Sequence, residues 1–355
     1  MRISFIVILS LFLFSCKKDK NQEEEVETSA TMANMADAVI IPSFNEFQIK
    51  LDELNESCIT LSSNPDEATL ANCRITLKSA WLQWQHVSAF TFGPAESRQM
   101  KPKFNTFPVD AIGIEDLIQN GDFNSVANDE KGLGCIDYLI NERGLSDQEI
   151  LDKYISGDFA QNRKNLLLQT ASQMKSILTA IRNDWTNYRE TFVTSAGAAN
   201  GSSVSLLVNE LIKDYEELKR NRIALPLGLL TLGIALPEKV EAYHAGYSSE
   251  LAREQLQAIK WYFMGGNGLG LDDLLYNTGF MSNNGIILSD AIPQGFDESY
   301  VLMLELIDPL SDQIGSNPDP IEQAYFDIQE NLVMLKTEMP SALGVSITFA
   351  DNDGD

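Results

Sequence analysis

Apolar residues recur at steps of three and four along most of this chain, and that spacing constrains its fold more than any other feature. One such stripe covers residues 44–61 and another covers residues 70–88, with Pro65 in the break between them. The spacing places apolar side chains on one face of an α-helix, and proline cannot continue a helix. Residues 167–192 repeat the pattern over a longer stretch. Apart from residues 345–349, no stretch alternates apolar and polar residues, so the sequence predicts an all-α protein.

The small, polar segment at residues 195–203 is the clearest boundary in the chain. It divides the predicted helices into two halves, residues 36–195 and residues 203–355. In the second half, Pro237 is well placed at the first turn of a helix, which we expect to run to about Met264. The sequence therefore predicts two helical domains.

The N-terminal residues predict the cellular compartment. A basic residue precedes an uncharged apolar run, residues 3–14, and Ser15 and Cys16 follow it. The run is too short to span a bilayer and has the flanks of a signal peptide. A cysteine at the cleavage point resembles a bacterial lipobox, in which the thiol is lipidated. We therefore expect residues 1–15 to be removed and Cys16 to carry a fatty-acyl (palmitate) anchor in the outer membrane, on either its periplasmic or its external face.

Charge separates the next segment from the folded part and limits the partners. Residues 17–35 are polar and lack apolar periodicity, so we expect residues 16–35 to form the lipidated N-terminus and a flexible stalk. The chain has 51 acidic and 26 basic residues and a formal charge of −25. Removal of residues 1–15 would take away the positive charge of Arg2 and make the net charge of the remaining chain more negative by one. So acidic a chain repels phosphate backbones, which excludes nucleic acid as a partner and leaves the acyl group as the expected membrane contact.

Three cysteines remain after Cys16. Cys58 and Cys73 lie on the two apolar stripes at almost equal distances from the break at Pro65. In an antiparallel helical hairpin they would face each other, and an oxidising envelope permits a disulfide. We therefore predict a Cys58–Cys73 disulfide and a free, buried thiol at Cys135.

Five segments stand out through their order and spacing. They are AWLQWQHVSAFTFGPAESR (80–98), KGLGCIDYLI (131–140), KVEAYHAGYSSEL (239–251), GGNGLGLDDLL (265–275) and LGVSITFADNDGD (343–355). Together they resemble the imelysin family of bacterial envelope proteins, in the lipoprotein branch of the Bacteroidetes group, over residues 36–355. The resemblance implies two helical-bundle domains packed side by side and a link to iron or haem uptake.

The signature of that family is a Gly-x-His-x-x-Glu segment at the start of a helix near the domain interface. The matching positions here are Gly132, Gly134 and Asp137, so glycine replaces the histidine and aspartate replaces the glutamate. The family was first described as metallopeptidases, and zinc hydrolases draw their ligands largely from histidine. This chain has only His86 and His244, so the sequence disfavours proteolysis.

The other candidate residues form two groups. Glu241 and His244 are spaced i, i+3 on the predicted helix, the spacing of helical-bundle iron sites; an ordinary solvated face is the alternative. Arg98 is expected to pair with Glu96, Asp110 or Asp137, as a buried structural cluster or as the polar floor of a pocket. Trp84 is expected in the core. The full set of candidate binding residues is Trp84, Glu96, Arg98, Asp110, Gly132, Gly134, Asp137, Tyr138, Glu241 and His244.

Three functions remain open from the sequence. The first is a non-catalytic envelope lipoprotein that binds a ligand between two helical domains, within a system for iron or haem uptake. The second is a metallopeptidase that uses Asp137, Glu241 and His244. The third is a scaffold that docks a partner protein at the outer membrane. Iron or another divalent metal is the candidate cofactor, and iron, haem or an envelope protein is the candidate partner.

Overall fold

The computed structural model describes residues 20–349, with side chains from Glu27 onwards. The predicted signal peptide (residues 1–15), the predicted lipidation site Cys16 and the C-terminal residues 350–355 lie outside the described residues. Within the described residues the chain forms helices and turns, and its one β-contact is an isolated bridge between Met281 and Ile287. The all-α prediction is confirmed.

The first half begins with a helical column made of α1 (Lys20–Asn34), a π-helical segment (Met35–Ile40) and α2 (Ile41–Ser63). It continues with α3 (Glu67–Gln85), α4 (Pro94–Ser97), α5 (Met100–Phe104), α6 (Ala111–Asn120), a 3₁₀ turn (Asn128–Glu130), α7 (Gly132–Asn141), α8 (Asp147–Ile155) and α9 (Ala160–Thr194). Helix α2 packs against both α3 and α9, and α7 packs against α9 and α3. These helices form one bundle.

The second half also consists of α-helices with short π-helical and 3₁₀ segments. It contains α10 (Ser203–Glu217), a π-helical segment (Leu218–Ala224), α11 (Leu225–Leu227), a 3₁₀ turn (Pro237–Lys239), α12 (Ser248–Phe263), α13 (Leu271–Thr278), α14 (Leu288–Met303), α15 (Leu310–Ser316), α16 (Asp319–Val333), a π-helical segment (Met334–Glu338) and α17 (Met339–Leu343). Helix α14 packs against α12 and α16, and α12 also contacts α3 of the first half. The division into two domains near residues 195–203 stays a prediction. Among the described residues, none of the helices combines the length and apolar character that crossing a membrane requires.

Aromatic side chains from α2, α3, α5 and α9 fill the core of the first half. Phe47 lies 5.8 Å from Trp84 between ring centroids, and Trp84 stacks on Phe104 at 5.7 Å. Phe44 lies 6.3 Å from Trp185. Such pairs combine a large apolar area with a defined geometry. The predicted apolar stripes therefore form the core, and Trp84 is a core residue as expected.

The hairpin between α2 and α3 has the predicted geometry. Asp66 caps α3 by accepting a hydrogen bond from the Thr69 backbone N at 2.8 Å, which fixes where the second helix begins. The Sγ atoms of Cys58 and Cys73 lie 3.6 Å apart, and both residues are fully buried as free thiols. The two cysteines therefore face each other, and the disulfide stays a prediction. Cys135 is also a buried free thiol.

The prediction of a flexible stalk is wrong for the part of it that the structure describes. Residues 20–34 are helical, and Thr31 and Met32 are fully buried. The Asn34 side-chain amide donates hydrogen bonds to the carbonyl oxygens of Gly265 and Leu269, both at 2.8 Å. The physical reason is that the apolar face of α2 extends backwards through Met32, so this segment packs against α9 of the first half and α13 of the second half.

Candidate functional site

Asp137, the residue in the place of the family glutamate, lies on α7 with 1% of its surface exposed. Its Oδ1 accepts a hydrogen bond from Asn141 Nδ2 at 3.0 Å, and its Oδ2 accepts one from the backbone N of His244 at 3.2 Å. Burial raises the pKa of this carboxyl to about 7, although these hydrogen bonds act in the opposite direction. Asp137 therefore joins α7 to the second half and changes its charge near neutral pH.

The two glycines of the motif shape the start of α7. Gly132 has a φ of +74°, and a Cβ there would collide with the carbonyl oxygen of Phe104. Glycine is therefore required both for the left-handed backbone and for the close approach of α5. A Cβ at Gly134, the position of the family histidine, would make ordinary contact with the Thr106 carbonyl oxygen at 3.4 Å. Glycine at this second position is not required by space.

The chain between the 3₁₀ turn and α12 forms a tight turn, and the predicted helix from Pro237 is wrong up to Ser248. Ala242 has a φ of +50° and Gly246 a φ of +74°. These left-handed residues reverse the chain and prevent a continuous helix. Glu241 and His244 therefore do not share a helix face, and the predicted Glu-x-x-His arrangement is wrong.

The imidazole of His244 is held neutral. Its Nδ1 accepts a hydrogen bond from the backbone N of Arg143 at 3.2 Å, which assigns the ring proton to Nε2. Burial, and then the positive charge of Arg143, lowers the pKa of His244 to about 4. The ring packs edge-on against Tyr138 at 5.1 Å, and the Tyr138 hydroxyl donates to Glu115 Oε1 at 2.7 Å. In this arrangement neither ring nitrogen offers a free lone pair to a metal.

Glu241 lies in a separate polar cluster with 1% of its surface exposed. Its Oε1 accepts hydrogen bonds from Trp81 Nε1 at 2.9 Å and from Asn105 Nδ2 at 2.6 Å. Its Oε2 pairs with the Arg222 guanidinium, which also donates to Gln85 Oε1 at 2.9 Å. We call these five residues, three from the first half and two from the second, the interface cluster. It is a buried ion pair enclosed by neutral hydrogen-bonding groups.

Arg222 is the positive centre of the interface cluster. It is 2% exposed, and its guanidinium lies 5.6 Å from the centre of the Phe107 ring. Burial lowers the pKa of Arg222 to about 10, while the carboxylates of Glu217 and Asp214 oppose that effect. The side chain therefore stays charged at neutral pH, and this charge must be balanced inside the protein.

A second set of charges adjoins the interface cluster. Asp214 Oδ2 accepts a hydrogen bond from Ser88 Oγ at 2.9 Å, and its Oδ1 lies 3.4 Å from Lys101 Nζ. Lys101 also pairs with Glu217 and is partly exposed. Burial raises the pKa of Asp214. Acidic groups of α10 and a lysine of α5 thus continue the polar contact between the halves towards solvent.

Several buried polar atoms at this contact have no hydrogen-bond partner among the described residues. They include Arg222 Nε, Asn105 Oδ1 and Gln255 Oε1. A buried polar group without a partner costs about 1–3 kcal/mol of stability, and such groups are few in folded proteins. Arg222 Nε and Asn105 Oδ1 belong to the interface cluster, and together with its buried ion pair they make that cluster the candidate functional site.

The remaining candidate residues lie elsewhere. Arg98 Nε donates to Asp184 Oδ2 of α9 at 2.9 Å, so the predicted pairing of Arg98 with Glu96, Asp110 or Asp137 is wrong. Glu96 is exposed on α4, and Asp110 caps α6 by accepting from the backbone N of Ile112 and of Gly113. Arg98 is held by its ion pair with α9, and Asp110 by its role as the cap of α6. The sequence pattern does not show which partner each of these side chains has in the fold.

The residues at the motif do not fit a metal ion. Among the described residues, no three side chains of histidine, cysteine, aspartate or glutamate come close enough to hold one. Asp137, His244 and Glu241 each use their acceptor atoms for hydrogen bonds or an ion pair inside the protein. His86 instead contacts Glu254 Oε1 of α12 at 2.6 Å. No chemical step through a metal follows from this arrangement.

The sequence did not identify Arg222, Asn105 or Gln85 as members of the site. Gln85 follows Trp81 by four residues, so it lies on the same helix face as that stripe residue. A polar side chain on a buried helix face needs a hydrogen-bond partner, so the position of Gln85 could have indicated a buried polar contact. Arg222 and Asn105 gave none, since their partners are distant in the chain.

Comparison with known proteins identifies a family and a relative to which this chain is similar. The model of the imelysin family (peptidase M75) matches residues 40–279. Iron-regulated protein A of Synechococcus elongatus is 24% identical over 215 residues, which cover 58% of this chain and 57% of that protein. The chain therefore matches less than two thirds of the length of this relative.

Two crystal structures share the fold. One is an imelysin-like protein from Psychrobacter arcticum, with a TM-score of 0.71 at 17% identity, covering 92% of this chain and 98% of that chain. The other, from Parabacteroides distasonis, is described as a candidate iron-regulated protein A precursor, with a TM-score of 0.72 at 17% identity, covering 92% and 97%.

Proposed function

The chain belongs to the imelysin family, and from that premise we propose that it is a non-catalytic lipoprotein of the cell envelope that binds a ligand between its two helical halves and is linked to iron or haem uptake. The observation that carries the proposal is the interface cluster. It brings a charged arginine and several polar atoms without partners to the contact between the halves. A ligand seated there would supply the missing hydrogen bonds.

The cluster favours a ligand with an anionic group, such as the carboxylates of haem. Arg222 presents a planar guanidinium that suits a carboxylate, and Lys101 adds a second cation on the solvent side. In the structure Glu241 occupies the place of such a carboxylate. A ligand carboxylate that accepts from the Nε of Arg222 would engage a group that lacks a partner and would leave Glu241 paired.

The non-catalytic part of the proposal is supported by the altered motif. Glycine stands in place of the motif histidine, and the acceptor atoms of Asp137 and His244 are used within the protein. The link to iron is supported by the names of two relatives. One is the iron-regulated protein A of Synechococcus elongatus, and the other is the candidate iron-regulated protein A precursor of Parabacteroides distasonis. The envelope location and the lipid anchor are supported by residues 1–16, which resemble a lipoprotein signal peptide.

The test is a titration of the chain beginning at Lys17, which retains every described residue, with haemin and with ferrous ion. We expect saturable binding of haemin and a loss of at least tenfold in its affinity in Arg222→Lys, since lysine cannot bind a carboxylate in a bidentate way; ferrous ion serves as the comparison, because it lacks a carboxylate. The matched control is Arg182→Lys, whose guanidinium bonds Asn45 on the surface of the first half. Thermal unfolding of each variant shows whether it is folded.

Three results would contradict the proposal. The absence of binding by the folded protein would favour a scaffold, which co-purification of a stoichiometric partner protein would support. Equal binding in Arg222→Lys and Arg182→Lys would place the ligand elsewhere. Chelator-sensitive cleavage of a denatured protein, lost in Asp137→Ala, would favour the metallopeptidase alternative.

A further inference from the structure

A pocket outside the interface cluster brings two lysines together in this acidic chain. It has a volume of about 240 Å³ and is lined by Lys103 of α5, by Lys131 and Gly132 at the start of α7, and by one face of α9. The residues from α9 are Thr170, Gln173, Met174 and Ile177. The pocket thus has a cationic and polar wall and an apolar floor.

Gly132 is the reason that the two lysines are neighbours. Its left-handed backbone allows α7 to begin against the last residues of α5, because a Cβ would collide with the carbonyl oxygen of Phe104 and approach that of Lys103. The side chains of Lys103 and Lys131 therefore approach the same pocket. Burial, and then the positive charge of Lys103, lowers the pKa of Lys131, while the nearby carboxylates of Glu130 and Asp129 oppose that effect without forming an ion pair with it.

Neither lysine has a carboxylate partner among the described residues. Lys103 Nζ donates to the backbone carbonyl of Arg98 at 3.0 Å, and Lys131 forms no ion pair there. Glu130, the acidic residue next to Lys131, instead accepts a hydrogen bond from the Ala127 backbone N at 2.8 Å. In a chain with almost twice as many acidic as basic residues, two adjacent lysines without a carboxylate partner indicate a site for an anion from outside the chain.

The backbone adds to this positive field. Lys131 is the N-cap residue of α7, and no side chain caps that helix. The first amide groups of a helix and its dipole favour an anion, and α7 is ten residues long. The Thr170 hydroxyl and the Gln173 amide are further hydrogen-bond donors in the wall.

We propose that this pocket binds a small organic anion whose carboxylate or phosphate head group lies between Lys103 and Lys131. The volume exceeds what one inorganic ion needs, since a water molecule takes about 30 Å³ in the liquid. The apolar face formed by Met174 and Ile177 would contact the body of the ligand. The site lies wholly within the first half, so its occupancy does not depend on the interface cluster.

The test is calorimetric titration of the chain beginning at Lys17 with citrate, with inorganic phosphate and with vesicles of phosphatidylcholine that contain or lack phosphatidic acid. We expect at least one of these oxyanions to bind, and Lys131→Gln to weaken its binding at least tenfold. Lys175→Gln, on α9 and paired with Asp52 at 3.1 Å, is the matched control and should bind as the unaltered chain does. Binding of free citrate or phosphate identifies a soluble ligand, and binding only of vesicles with phosphatidic acid identifies a lipid head group.

Two results would overturn the proposal. One is the absence of binding of every probe by the folded chain at low salt, where electrostatic attraction is strongest. The other is the same loss of affinity in Lys131→Gln and Lys175→Gln, which would indicate a general effect of net charge. Thermal unfolding of both variants, without probe, confirms that each is folded, and Lys103→Gln provides a second variant on the opposite wall.

Discussion

The backbone N of His244 donates a hydrogen bond to Asp137 Oδ2 at 3.2 Å, so the Asp137 carboxyl is bonded to the backbone of a residue whose imidazole has the opposite titration behaviour. Burial raises the pKa of Asp137 to about 7 and lowers that of His244 to about 4. Between these values the folded protein holds a proton on Asp137 that the unfolded chain has released. It lacks a proton on His244 that the unfolded chain holds.

The first prediction concerns the pH dependence of stability. As pH rises from about 4 to 6.5, the usual pKa of histidine, Asp137 lowers the free energy of unfolding and His244 raises it, each by about 1.4 kcal/mol per pH unit, so they largely cancel. Asp137→Asn should leave a free energy of unfolding that rises with pH, and His244→Gln one that falls. Urea unfolding at several pH values in this window measures both slopes, and parallel slopes in the two variants would contradict the assignment.

The second prediction concerns the cysteines of the α2–α3 hairpin. With their sulfur atoms 3.6 Å apart, Cys58 and Cys73 should form a disulfide when the unfolded chain, whose thiols are accessible, is refolded with an oxidised thiol reagent such as glutathione disulfide. Two thiols then lose two electrons and two protons, and the reagent is reduced to two thiols. Closing a loop of this length stabilises a protein by about 3 kcal/mol.

Thiol alkylation after denaturation without reductant checks this pairing. The chain beginning at Lys17 should show one free thiol, Cys135, whose pKa burial raises to about 12 and which is therefore unreactive in the folded protein. Cys58→Ser should show two free thiols. Three free thiols in the unaltered oxidised chain would rule out the disulfide.

The third prediction concerns the buried ion pair. Arg222→Met should reduce the free energy of unfolding by about 3–5 kcal/mol, because it leaves Glu241 charged without its partner. The double variant Arg222→Met, Glu241→Leu should recover much of that loss. Chemical denaturation of both single variants and the double variant gives the coupling energy, and additive losses would show that the two side chains do not interact.

The fourth prediction concerns the apolar loop after α11. Leu232 is fully exposed and has a φ of +56°, a backbone conformation that glycine adopts without cost. Leu232→Gly should raise the free energy of unfolding by up to about 1 kcal/mol. The neighbouring Leu230→Gly, without a positive φ, is the control and should lower it; thermal unfolding compares the two, and equal effects would contradict the role of backbone strain.

The parts of the fold that could be predicted from the sequence are the helices with a regular spacing of apolar residues. The stripes of α2, α3 and α9 were visible because a buried helix face must recur every three to four residues, and Trp84 lies in the core as that rule requires. The stalk prediction was wrong because the charged residues before Glu27 conceal that Met32 continues the face of α2. A short apolar extension of a long stripe carries little periodic signal.

The site was harder to predict because tertiary contacts determine it. The left-handed backbone at Ala242 breaks the expected helix. Alanine normally favours a helix, so the residue itself gives no indication of the break. Arg222 meets Glu241 only after the chain has reversed, and both meet Gln85 from the other half. The motif residues Gly132 and Asp137 were found from the family resemblance, whereas the partners that give Asp137 its environment were not.

The most direct test of ligand binding between the halves is amide hydrogen exchange of the chain beginning at Lys17, with and without haemin. Haemin should slow exchange both in residues 241–249 and in α3 around Gln85, because the ligand would contact both halves at the interface cluster. Unchanged exchange in these two segments while haemin is bound, or protection confined to one half, would contradict binding between the halves.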